Sequence, residues 1–151
     1  MLLCKMAYLK DLESALEKYW PDYFSGNQLI YGAPLIAHLL HHMGTYFDNY
    51  RRQPEKCIEL LVNKCGASLN QPDERGQLPL DNIISGSNTD HYSDEYKRYT
   101  YDAVKFVLTH GGIALKKREK VIRFLELRGV MTRKEFEEFE ATGHGCGPRD
   151  T

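Results

Sequence analysis

An all-α fold, a short stack of repeated helix pairs closed by helices at both ends, is what the sequence predicts, and three observations point to it. Two landmarks recur at one offset: Ala33-Pro34-Leu35 is echoed by Leu78-Pro79-Leu80, and the run from Cys57 to Gly66 is echoed by the run from Ala103 to Gly111. Pro34 to Pro79 and Gly66 to Gly111 are both 45 residues apart. Apolar side chains at Ile58, Leu61 and Val62, and again at Val104, Val107 and Leu108, follow the i, i+3, i+4 spacing of one buried helix face. Each of these runs stops at a glycine, the residue that takes the left-handed position after a last helical turn without strain.

The elements follow in order. An amphipathic helix is expected at about residues 7–19, stopped by Pro21. Pro34 and Pro79 open helices, since a proline's missing N–H has no partner in a first turn anyway. Gly66 and Gly111 close the second helix of each unit. Between the helices lie polar stretches, residues 44–53 and 86–98, and residues 86–94 lack helical periodicity and read as loop. Beyond the second unit a helix is expected over about residues 115–127. Another is announced by Thr132-Arg133-Lys134-Glu135, where threonine and glutamate each satisfy an unpaired amide of the first turn. Residues 143–151 read as a flexible tail, with three glycines and a proline in its first six positions. The expected organisation is one domain over residues 1–142, with caps at 1–29 and 114–142 around repeats at 30–113.

The segment from Ile58 to Asp81 resembles the ankyrin repeat. It carries the helix Ile58-Glu59-Leu60-Leu61-Val62, then Gly66-Ala67-Ser68-Leu69-Asn70, then Asp73-Glu74-Arg75-Gly76, then Leu78-Pro79-Leu80-Asp81. The family's order is a helix, G-A-D-x-N, a β-turn finger D-x-x-G, and T-P-L-H at the next helix start. Here Ser68 stands for the usual Asp, Leu78 for Thr and Asp81 for His, and one residue is added ahead of Gly66. Asp73 and Gly76 suit a tight turn, and Asn70 suits bonds to local backbone amides. Partial matches at residues 33–37 and 103–112 bracket the segment, so the likeness covers about residues 30–113. The period exceeds the family's roughly 33 residues by about 12, and the surplus falls in the loops between helices. The resemblance implies two to three stacked repeats that bind one protein partner.

Twenty Lys and Arg against twenty-one Asp and Glu leave a formal net charge of -1, without the broad positive field that nucleic acid or an anionic membrane requires. No apolar run approaches the roughly 20 residues of a bilayer span, so no membrane insertion is expected. The stretch Met1 to Lys10 is too short in apolar residues for a Sec-type signal, which points to a chain in the cytosol. Cys4, Cys57, Cys65 and Cys146 form no C-x-x-C pair, so reduced thiols are expected, two of them on one helix.

No nucleophile elbow, P-loop or kinase signature is present, and neither a catalytic residue nor a cofactor is expected. His38, His41 and His42 sit at i, i+3, i+4 and are the one candidate for a metal or enzymatic site. They lack a third ligand type at a telling spacing and any H-E-x-x-H, and packed or surface imidazoles account for them better. The two long loops are rich in tyrosine and basic residues: Tyr46, Phe47, Tyr50, Arg51 and Arg52 in the first, Tyr92, Tyr96, Lys97, Arg98, Tyr99 and Tyr101 in or near the second. Tyrosine and arginine supply binding hot spots, and tyrosines equally pin loops to the helices beneath them. The expected partner-binding residues are Tyr46, Tyr50, Arg52, Tyr92 and Tyr96 in the loops, with Glu74 and Arg75 at the finger.

The basic run Lys116, Lys117, Arg118, Lys120 and Arg123 reads as the solvated face of a cap helix, positioned to pair with the acidic run Glu135, Glu137, Glu138 and Glu140. That acidic run, shortly before a polar tail, also resembles the glutamate-rich C-terminal signal of effectors delivered by type IV secretion systems of intracellular bacteria. The end of an amphipathic helix explains it equally well. The reading that results is an adaptor or inhibitor, monomeric when free, cytoplasmic or secreted into a host cell. Its rivals are a metal-binding or enzymatic protein using the histidines, and a subunit that self-associates through its caps.

Overall fold

In the computed structural model, the residues described are 29–30, 32–42, 54–84 and 94–144 of the 151. Among them, strand is confined to a small antiparallel hairpin, β1 (Leu29–Ile30) with β2 (Ala33–Pro34), in the register Leu29 to Pro34 and Ile30 to Ala33. The rest of the regular structure is helical: α1 (Leu35–His42), α2 (Pro54–Cys65), the 3₁₀ helix η1 (Pro79–Ile84), α3 (Asp94–Thr109), α4 (Arg118–Leu127) and α5 (Arg133–His144). The expected N-terminal helix at residues 7–19 and the first loop at 44–53 lie outside the described residues.

Local sequence explains most of these boundaries. Pro79 is the first residue of η1, whereas Pro34 closes the hairpin and hands the chain to α1 one residue later. The capping box forms as expected: the Thr132 amide donates to Glu135 Oε1 (3.1 Å) and the Glu135 amide donates to Thr132 Oγ1 (3.2 Å). The Thr132 amide, first among the causes, holds the Glu135 carboxyl below its ordinary range.

Three expectations are corrected. Helix α3 starts at Asp94, inside the stretch 86–98 expected as loop. The reason is Thr100, a polar residue that is fully buried and continues the apolar stripe of Ala103, Val104, Val107 and Leu108 by one turn. The tail does not begin at 143, because α5 runs through Gly143 to His144. A side chain at Gly143 would collide with the Leu108 carbonyl oxygen, so this glycine lets α5 cross the end of α3 at backbone contact. Helix α4 begins at Arg118, not near Leu115, because the amides of Lys116 and Lys117 are held by Asp81.

The helices pack in two rows. In one, α1 lies on η1 and η1 on α4; in the other, α2 lies on α3 and α3 on α5. Within pairs, α1 contacts α2 and α4 contacts α5. One core runs through both rows, with Leu35, Leu39, Ile58, Leu61, Leu80, Ile83, Val104, Val107, Val121 and Phe136 all at 0% exposure. Leu61 and Val107 are therefore buried between helices, as their spacing predicts. Burying each such side chain contributes roughly 1.5–3 kcal/mol. Cys57 and Cys65 are buried on α2, and burial pushes the Cys65 thiol up from its ordinary value.

Candidate functional site

The turn Asp73–Gly76 is built by one carboxylate. Asp73 Oδ1 accepts the amides of Arg75 (2.8 Å) and Gln77 (2.9 Å), and the Asp73 carbonyl accepts the amide of Gly76 (2.9 Å). The Asp73 amide in turn donates to the Gln77 carbonyl at 2.9 Å, which closes the loop on itself. Gly76 sits at φ +78°, a conformation that glycine takes without penalty. Glu74 and Arg75 are thereby held outward and exposed at the tip. This finger is the tight turn that Asp73 and Gly76 predict.

The finger is joined to its neighbours on both sides. The Glu74 amide donates to the carbonyl of Gly32, in the turn between β1 and β2, at 2.9 Å. On the other side the Lys116 ammonium donates to the Arg75 carbonyl at 2.8 Å. Three turns, one ahead of each of α1, η1 and α4, thus form a continuous rim.

Beneath the rim two polar side chains tie distant segments together. Asn70 bonds the glycine turn after α3, its Nδ2 donating to the Gly111 carbonyl (2.9 Å) and its Oδ1 accepting the Ile113 amide (3.0 Å). The local bonding expected of Asn70 is limited to its own amide, which donates to Ser68 Oγ at 3.0 Å. Asp81, fully buried, accepts the amides of Leu78 (3.0 Å), Lys117 (2.9 Å) and Lys116 (3.3 Å). These three backbone donors on one side chain fix the turn into η1 against the turn into α4.

The last helix pair is fastened by charge. Arg118 makes a two-pronged bond to Glu140 (2.6 and 3.0 Å), which is the first cause holding the guanidinium above its ordinary pKa. Arg133 grips Glu119 at 2.8 and 3.2 Å, and this pair is open to solvent and contributes little. The expected pairing of the basic and acidic runs is thus realised by one partly buried bond between Arg118 and Glu140.

Of the residues expected to bind a partner, Glu74 and Arg75 stand on the rim. Tyr96 falls in the first turn of α3, and its side chain is not among those described; Tyr46, Tyr50, Arg52 and Tyr92 lie outside the described residues. Tyr101 is a packing residue. Its hydroxyl donates to Glu135 Oε2 (3.1 Å) and its ring meets Phe139 edge-on at 5.9 Å. His38 and His41 are half-buried on α1, and among the described residues no three His, Cys, Asp or Glu side chains form a group able to hold a metal. Nothing in the sequence marks Lys116 as part of the rim, and for Asp81 beneath it the one signal is its place where the ankyrin pattern has histidine.

The chain matches no protein-family model, and no curated protein or solved structure resembles it significantly. No helix among the described residues is long and apolar enough to cross a membrane.

Proposed function

We propose that this chain is a divergent ankyrin-like stack of three helix pairs that acts by binding one protein partner, as an adaptor or inhibitor, and catalyses nothing. The observation that carries this reading is the rim, in which Gly32, the Asp73–Gly76 finger and Lys116 are hydrogen-bonded in one line. Stacked units that each bury their apolar face on the next generate such an extended edge, and that edge is the surface repeat proteins use for recognition. The packing of first helix on first helix and second on second supports the same view. On this reading α4 and α5 are a third unit, where the sequence assigns a cap. Tyrosine and arginine in the two long loops add residue types suited to hot spots. The glutamate-rich run near the C-terminus keeps delivery into a host cell as the setting we favour for that partner.

The test is affinity capture from host lysate with paired variants. Alanine at two or three of Tyr46, Tyr50, Arg52, Tyr92 and Tyr96 is expected to weaken capture of the same partner by about 2 kcal/mol or more each, with melting unchanged. If Glu74→Ala with Arg75→Ala abolishes capture while the loop variants leave it intact, the finger alone is the working face. If neither set matters, or stoichiometric zinc accompanies the untagged protein, the reading fails.

A further inference from the structure

We infer that the outer face of α4 and the turn leading into it dock an acidic, amphipathic peptide segment of a partner protein. The inference rests on the reading of the chain as a protein-binding module, but on residues other than the tyrosine loops.

Helix α4 buries Val121, Ile122, Phe124 and Leu125 against its neighbours, and that register turns Glu119, Lys120, Arg123, Glu126 and Leu127 outward. The two glutamates on this face are already engaged. Both guanidinium nitrogens of Arg133 hold Glu119, and the Arg133 amide donates to Glu126 Oε2 at 3.1 Å. Lys120 and Arg123 form no salt bridge among the described residues, Arg123 acting on Glu119 through its field alone. The Lys116 ammonium donates to the neutral carbonyl of Arg75, whose own side chain is exposed at the finger tip. Lys116, Lys120, Arg123 and Arg133 stand against Glu119 and Glu126, which leaves a surplus of positive charge from the finger along α4 on a chain whose net charge is -1.

Two exposed leucines bracket this run. Leu115 is 61% exposed in the turn before α4 and Leu127 is 77% exposed at its end. Leu127 follows Lys120 by seven residues and Arg123 by four, so it shares their stripe. One exposed leucine carries no meaning by itself. Two of them flanking a surplus of cations make a mixed surface that phosphate backbones do not call for, whereas carboxylates interspersed with apolar side chains match it in charge and in kind.

The probe is a labelled helical peptide of about sixteen residues with one glutamate face and one leucine face, followed by fluorescence polarisation against the full chain. Its lysine-for-glutamate twin and a single-stranded DNA of similar length are the comparisons. Binding of the acidic peptide is expected, weakened about tenfold or more by Lys120→Glu with Arg123→Glu and several-fold by Leu127→Ser, and falling as salt rises. All three positions are exposed, so unchanged circular-dichroism melting of each variant establishes that the fold is intact. Equal affinity for the lysine twin, preference for DNA, indifference to the charge reversal, or protein that light scattering shows self-associated through this face overturns the inference. Glu74→Ala separates the two readings: if the peptide fails to bind while Glu74→Ala or the loop variants still weaken partner capture, this surface is wrong and the module reading stands.

Discussion

Helices α2 and α3 both stop at a glycine with left-handed backbone, Gly66 at φ +66° and Gly111 at φ +91°, yet the two ends differ in what surrounds them. Around Gly66 an added side chain would meet nothing within 4 Å. The end of α3 is crowded: a side chain at Gly112 would run into Val107, and one at Gly143 of α5 into the Leu108 carbonyl. The glycine signal itself does the same local task at both ends, since a side chain at Gly111 would also meet nothing within 4 Å; the tertiary constraint falls on Gly112 and Gly143 beside it. A repeated motif fixes how a helix stops, while the packing around it decides what else must fit there.

Substitutions can break this comparison, beginning with the largest effect. Leu61 in α2 is fully buried, and Leu61→Ala is expected to cost about 2–5 kcal/mol, read as a lowered denaturant midpoint; an unchanged midpoint would remove α2 from the shared core. Gly143→Val tests the crowded end. It forces α5 off α3 at a cost of about 3 kcal/mol, the upper end of overpacking, and a neutral result would mean that the helices do not cross there.

The opposite end of α2 sharpens the contrast through pH. Burial lifts the Glu55 carboxyl from about 4.5 to about 7; its own backbone amide opposes the shift and nearby Asp102 adds to it. One of its oxygens is buried without a hydrogen-bond partner among the described residues. Between those two pKa values the folded state holds the proton that the unfolded chain has lost, so this group's contribution to stability falls as pH rises from about 4.5 to 7 and is level above. Glu55→Gln should flatten that slope and be more stable at pH 8 by about 2 kcal/mol, allowing for partial solvent screening. Unfolding curves at pH 5 and pH 8 measure it, and parallel curves for both proteins would contradict it. The smallest effect is at the open end. Gly66→Ala should cost about 1 kcal/mol, from the backbone angle alone, and clearly less than Gly143→Val by the same assay.

The sequence carried the parts of the fold that depend on neighbours a few residues away. The finger was legible because Asp73 bonds amides two and four residues on, and the capping box because Thr132 and Glu135 are three apart. The parts that depend on distant residues were not. Asn70 and Asp81 find their partners about 35 to 43 positions along the chain, among backbone amides and carbonyls that no residue type marks. The first turns of α3 were hidden because its buried position there is a threonine amid tyrosines and charges. Gly143 misled because a glycine needed for close helix contact looks, in sequence, like a glycine in a loose tail. At the candidate site, the finger residues Glu74 and Arg75 were readable for the first reason and the contribution of Lys116 was unreadable for the second.

Asn70 and Asp81 tie together turns that lie about 35 to 43 residues apart in the chain, and amide hydrogen exchange tests those ties most directly. The amides of Ile113 and Lys117 lie outside any helix, so nothing in their own segment protects them. Slow exchange is expected at both in the unaltered protein, with Ile113 released selectively by Asn70→Ala and Lys117 by Asp81→Ala. Exchange at both sites as fast as in an unstructured peptide, before any substitution, would contradict these ties.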